Sequence, residues 1–183
     1  MSENLRRYTR ALYGFDAVVR RTPGEAWTHP SPCEGWTAAD VVAHNVGMNE
    51  MIAGFTRGDG APHAGHVETD DPAGSWASSL EALLAALDRH GALQTVAATP
   101  WGELAVEKFL GFVWVDPVIH TWDLAVAVGQ APVLDADLVA LGAARLERAG
   151  DSLVGPGRFR AAVAVGDEAT TLDRFISLSG RTP

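Results

Sequence analysis

Residues 107–129 read EKFLGFVWVDPVIHTWDLAVAVG. Apolar side chains recur at helical spacing along the whole stretch, and Gly129 is a natural C-terminal stop. Inside it stand Asp116, Pro117, His120 and Asp123. Pro117 removes one backbone donor near the middle, which predicts a kink or a bulge there. A buried helix does not carry charged groups cheaply unless they are paired, hydrogen-bonded or bound to a metal. Asp116 and His120 are four apart, so they share one face about 6 Å apart along the axis. Asp123 is three further on and leans toward the same face.

Working outward, the rest of the chain reads as helices around one core. Residues 3–21 carry Leu5, Tyr8, Leu12, Phe15, Val18 and Val19 as a helical stripe. TPGEAW and HPSPCEGW form a Pro- and Gly-rich loop. Thr37 then reads as an N-cap, with Asp40 in the first turn of a second helix running to about Phe55. Residues 58–71 are polar and glycine-bearing, a surface loop with the character of a mobile segment. A third helix is expected over 75–90, with Gly91 as its stop and His90 at its negative end. QTVAAT and ELAVE around PWG predict a short hairpin. A fifth helix follows over 136–150, then an extended segment, RFRAAVAVG, and a short terminal helix, TLDRFISLSG. The sequence shows no repeat or linker, so a single domain over 1–183 is expected, mainly α, with four long helices in a bundle.

Composition excludes several classes. A 183-residue chain with 47% hydrophobic residues and a mean hydropathy of +0.04 is long and apolar enough for a real core. A formal charge of -9 and a pI near 5.0 argue against a nucleic-acid backbone as partner. MSENLRRYTR lacks the apolar run of a signal peptide, and the apolar run around Phe109 stops at Asp116, too early to span a bilayer. Cys33 is the only cysteine, so neither a disulfide framework nor a cysteine-rich zinc site can form within one chain. A cytoplasmic protein without membrane or nucleic-acid partners is expected.

A carboxylate and an imidazole four residues apart can share one metal ion, but a mononuclear site needs a third ligand from a neighbouring helix. His44, within DVVAHNVG, is the other histidine expected inside a largely apolar helix. The same pattern also fits a hydrogen-bonded core histidine and a simple Asp–His pair. Asp123 reads as a group that orients His120, or as a cap on a loop amide. Cys33 reads as a small packed residue, because no histidine neighbours it in sequence. Trp36 and Trp122 read as large packing residues. His63 and His66, with Glu68, Asp70 and Asp71 nearby, read as a solvated loop rather than a metal collector.

PSPCEGWTAADVVAHNVG, followed about 70 residues later by DPVIHTWDLAVAVGQ, resembles the DinB-like metal-binding bundles of actinobacteria. The chain is most similar to the branch of the mycothiol-dependent maleylpyruvate isomerase type, along nearly its whole length. The resemblance implies an antiparallel four-helix bundle with one divalent metal held by three side chains. Those positions correspond here to His44, Asp116 and His120, with an acidic residue four before the second histidine, as in the isomerase type. On this donor set zinc is expected first, with nickel or iron also suited, and the resemblance implies mycothiol as a thiol cosubstrate. A metal-held thiolate that adds to an activated double bond and leaves again gives cis–trans isomerisation, and one that stays gives an S-transferase. The partners would be a small electrophilic substrate and the thiol, in a monomer or homodimer. The pocket is expected beside the 58–71 loop and Trp101, lined by Asn49, Glu103 and loop carboxylates, with Met48 as a wall. Two other classes stay open. One is a hydrolase using a metal-bound hydroxide, with Asp123 or Glu50 as base; the other is a non-catalytic bundle stapled by its metal.

Overall fold

In the computed structural model, which describes residues 2–60, 66–155 and 159–183, helices form where the periodicity places them. α1 spans Glu3–Val19, with Ser2 as N-cap, and buries Tyr8, Ala11, Leu12, Phe15, Val18 and Val19. α2 spans Ala38–Phe55. Its start is a full capping box: the Thr37 hydroxyl accepts from the Asp40 amide, and the Asp40 carboxylate accepts from the Thr37 amide at 2.7 Å. α3 spans Pro72–Asp88, beginning three residues before the expected start. The reason is local: Asp71 caps the Gly74 amide, and Pro72 occupies the first turn, where its missing N–H costs nothing. Gly91 follows at φ 81, a left-handed turn that suits glycine.

β1 (Val96–Thr99) and β2 (Gly102–Ala105) form the expected antiparallel hairpin around Pro100 and Trp101. The long apolar stretch then forms two consecutive helices, α4 (Val106–Val113) and α5 (Val115–Ala127). Pro117 has no N–H to give the Val113 carbonyl, so the ladder is interrupted at Trp114, one turn before the proline. Trp114 keeps helical dihedrals, φ -58 and ψ -23, so the result is a local interruption and not a reversal. By length and apolarity alone Val106–Ala127 would pass for a membrane span, contrary to the expectation that it is too short. Yet 78% of its most apolar window is buried inside the protein, as in a core helix.

The first compact unit, Met1–Pro132, is the bundle. α1 packs on α4, α5 and α3, and α2 packs on α3 and α5. Asn4 donates to Glu107 and Gly14 faces Thr121, so α1 and α4–α5 run the same way. His44 faces Asp116 while Phe55 meets Phe109, so α2 runs against them. α3 runs with α2: the Val67 amide reaches the Ala43 carbonyl before α3 begins, and Thr95 reaches Thr56 after it ends.

The second compact unit, Val133–Pro183, contains α6 (Ala136–Ala149) and α7 (Thr171–Leu178). A Cβ at Gly142 would lie 2.5 Å from the Phe175 ring, so glycine there permits the close approach of α7 to α6. The expected extended segment RFRAAVAVG forms no named strand among its described residues. Phe159 makes one isolated bridge to Val154, and the Val163 amide bonds Ser177.

Candidate metal centre

His44 sits in the N-terminal half of α2, and Asp116 and His120 occupy the first two turns of α5. Antiparallel packing brings them together across 72 residues of sequence. His44 Nε2 is 3.1 Å from Asp116 Oδ2, and His120 Nε2 is 3.6 Å from Asp116 Oδ1. Ligand atoms of all three lie within 4.8 Å of one another, and among the described residues no further His, Cys, Asp or Glu joins the trio. The His120 side chain is 6% exposed, whereas His44 and Asp116 are 25% and 23% exposed, so the cluster opens on one side.

Asp123, fully buried at 0%, accepts at 2.9 Å from His120 Nδ1. A carboxylate accepts and does not donate, so this contact places the ring proton on Nδ1. The Nε2 lone pair then faces the Asp116 carboxylate. Two acceptors facing each other are an arrangement that a bound cation would satisfy. A tetrahedral ion with bonds of about 2.0 to 2.1 Å spaces its donors about 3.3 Å apart, and the two contacts above bracket that spacing. The residues present fit a divalent metal.

The approach to the cluster is built by the PCEGW turn. The Trp36 amide donates to the Cys33 carbonyl at 3.0 Å, and Gly35 takes φ 78, a conformation disfavoured for other residues. The turn lays Trp36 over both imidazoles, nearly parallel to His120 (5.9 Å, 21°) and tilted on His44 (5.3 Å, 44°). It also directs Cys33 Sγ to Asp123 Oδ2 at 3.2 Å. Sequence reading assigned both residues to packing. The Cys33–Asp123 and Trp36–His120 contacts join positions some 80 to 90 residues apart, and the PCEGW stretch is the sequence signal for them. Trp122 is buried at 7%, consistent with packing.

On the outer side, His66 Nε2 lies 3.1 Å from Asp40 Oδ1 and its ring meets Trp36 edge-on at 6.1 Å. Burial raises the Asp40 carboxyl, but the Thr37 amide and hydroxyl and the His66 ring outweigh it and hold it below its usual value. On the inner side Tyr8 is buried, and burial together with the Asp116 charge pushes its phenol far above its ordinary range, so it remains protonated.

Over residues 8–125 the chain matches the family described as the mycothiol maleylpyruvate isomerase N-terminal domain. The chain belongs to that family. An uncharacterized protein of Mycobacterium tuberculosis, MT0763 in strain CDC 1551 / Oshkosh and Rv0738 in strain H37Rv, is 31% identical over 184 residues and 97% of each chain. The crystal structure of the mycothiol-dependent maleylpyruvate isomerase shares the fold: the TM-score is 0.63 at 16% identity, covering 85% of this chain and 75% of that one. Cys33, Trp36, His44, Asp116, His120 and Asp123 all fall inside the segment matched to the isomerase family, which lies within the first unit.

Other expected site residues lie elsewhere. Asn49 is 1% exposed and faces α3, where its amide donates to the Ser79 hydroxyl at 3.1 Å. It borders a separate groove of about 660 Å³ between α2 and α3, together with Glu50, Arg57, Asp71 and Ser75. The five-residue offset from His44 turns Asn49 to another face of the helix. Glu103 is exposed on β2. The hairpin packs where Thr95 bonds Thr56, at the far end of α2 from His44, roughly 16 Å along the axis at about 1.5 Å per residue. Trp101 packs on Phe109 and Phe112, also away from the cluster. So it is His66, and not Trp101, that the described contacts bring beside Trp36 at the cluster. Met48 is half-buried. His63 lies outside the described residues, and Asp71 caps α3.

Proposed function

We propose that this protein is a metal-dependent, mycothiol-using isomerase or S-transferase acting on a small electrophile. The observation that carries the reading is the convergence of His44, Asp116 and His120 on one partly open point, with no fourth ligating side chain among the described residues. Three protein donors with one side open are the pattern of working metal sites. A divalent ion bound there, zinc first on this donor set, supplies a Lewis acid that keeps a thiol in its thiolate form at neutral pH.

The chain's own groups have distinct tasks. Asp123 fixes the His120 tautomer and aims its Nε2 lone pair at the cluster. Trp36 covers both imidazoles and excludes water from that face. Tyr8, buried near the Asp116 charge, stays a neutral phenol. The exposed edges of His44 and Asp116 leave the approach for thiol and substrate. Addition of the thiol to an activated double bond followed by its departure gives isomerisation, and retention of the new C–S bond gives transfer. Neither base considered for the hydrolase reading stands ready at the cluster: Glu50 borders the separate groove, and Asp123 is engaged by His120 and Cys33.

Calorimetry with mycothiol tests this reading. Binding is expected to metal-loaded protein and to be lost in His44→Ala. Equal affinity in both would show that the thiol is not held at this centre, and binding to neither would favour a non-catalytic bundle. Asp123→Asn should keep the metal with a roughly 10- to 100-fold loss of affinity or activity. Complete loss of metal in that variant would make Asp123 a ligand.

A further inference from the structure

We infer that Cys33 is a positioning residue of the centre, acting through the oxygen of Asp123 that it shares with His120. The two donors come from opposite directions in sequence. Cys33 Sγ lies 3.2 Å from Asp123 Oδ2, and His120 Nδ1 lies 2.9 Å from the same atom. Three side chains on one loop and one helix thus form a continuous chain from thiol to carboxylate to imidazole, ending at the Nε2 that faces Asp116.

The aim of the thiol is fixed by backbone contacts. The Cys33 amide donates to Ser31 Oγ at 3.1 Å, its carbonyl accepts from Trp36, and the Ser31 amide donates back to the Trp36 carbonyl at 2.8 Å. With the backbone held at both ends, the S–H has a defined target. A small packing residue would explain volume at this position but not a polar contact to a carboxylate with no solvent exposure.

The chemistry follows from the strengths of the donors. A thiol is a weak donor, so it withdraws only part of the charge on Oδ2 and leaves His120 the stronger partner. Asp123 is sealed from water, so the charge that Oδ2 presents to His120 depends on its protein donors. Removing the S–H returns charge to that oxygen, tightens its hold on the His120 N–H and makes Nε2 a better electron donor. Cys33 therefore sets how strongly Asp123 polarises the His120 ring. The consequence for a bound metal rests on the function proposed above; the hydrogen-bond relay itself does not.

Cys33 is the only cysteine, so the S–H infrared stretch comes from this thiol and no other. In metal-free wild-type protein the band should fall below the frequency of a free thiol and rise in Asp123→Asn. The second readout is the His120 Nδ1–H proton resonance of metal-free protein. It should move downfield in Cys33→Ala and return toward the wild-type position in Cys33→Ser, which restores a donor. The third is zinc affinity by chelator competition, expected to rise a few-fold in Cys33→Ala, less than the roughly 10- to 100-fold scale of a direct partner of the ligand. An S–H band at the free-thiol frequency, or a His120 resonance unmoved by Cys33→Ala, would overturn the inference. Failure of wild-type protein to bind zinc would overturn the proposed function and leave the first two readouts to decide the role of Cys33.

Discussion

Replacing His120 by alanine is expected to abolish stoichiometric metal binding while leaving the helical content intact. The imidazole supplies one of three converging donors, and two remaining donors cannot define a tetrahedral site. The bundle does not depend on it for its core, which is built from Phe15, Phe55, Trp76, Phe109 and Ile119 at 0–1% exposure. Some stability is lost all the same. Asp123 stays buried and gives up its contact with His120, a penalty of about 1 to 3 kcal/mol. Elemental analysis together with far-ultraviolet circular dichroism separates the two effects. Unchanged metal content would show that the ligand assignment is wrong.

The largest effect on folding is expected from Trp76→Ala. Trp76 is fully buried, its ring meets Phe15 edge-on at 4.7 Å, and its Nε1 donates to Asp16 Oδ1 at 3.1 Å. It fastens the early part of α3 to the late part of α1, a seam that helps close the ring of helices. Truncating a buried aromatic of this size costs about 3 to 5 kcal/mol. Denaturant unfolding of the variant should show a loss in that range at a similar slope. A loss below about 1 kcal/mol would mean that the site collapses around the cavity and that the α1–α3 seam lies outside the cooperative core.

What could be read from the sequence divides along physical lines. Local signals were sufficient for the helices: the Thr37–Asp40 capping box, the stripe from Tyr8 to Val19 and the Gly91 stop each depend on residues within a turn or two. The interruption near Pro117 was also local, because the missing amide acts on a carbonyl four residues back. α3 starts earlier than its apolar periodicity predicts because the Asp71–Pro72 cap stands among the acidic residues of the loop. His44, Asp116 and His120 were legible because two of them sit at helical spacing and the third lies in an apolar helix; the structure brings all three together. The roles of Cys33 and Trp36 were not legible, since Asp123 and His120 reach them only when α2 packs against α5. Asn49 and Glu103 lie apart from the cluster for a related reason. Polarity made them plausible pocket residues, but a rotation of one helix face and the length of α2 carry them away from the cluster.

Cobalt(II) substitution of the metal-free protein followed by titration with mycothiol tests the central claim most directly. The account predicts uptake of one equivalent of cobalt with the absorption of a low-coordinate site, then a thiolate-to-metal charge-transfer band on adding mycothiol. Both signals should be absent in His120→Ala. Cobalt uptake that survives this substitution, or a loaded wild-type centre whose spectrum mycothiol leaves unchanged, would contradict it.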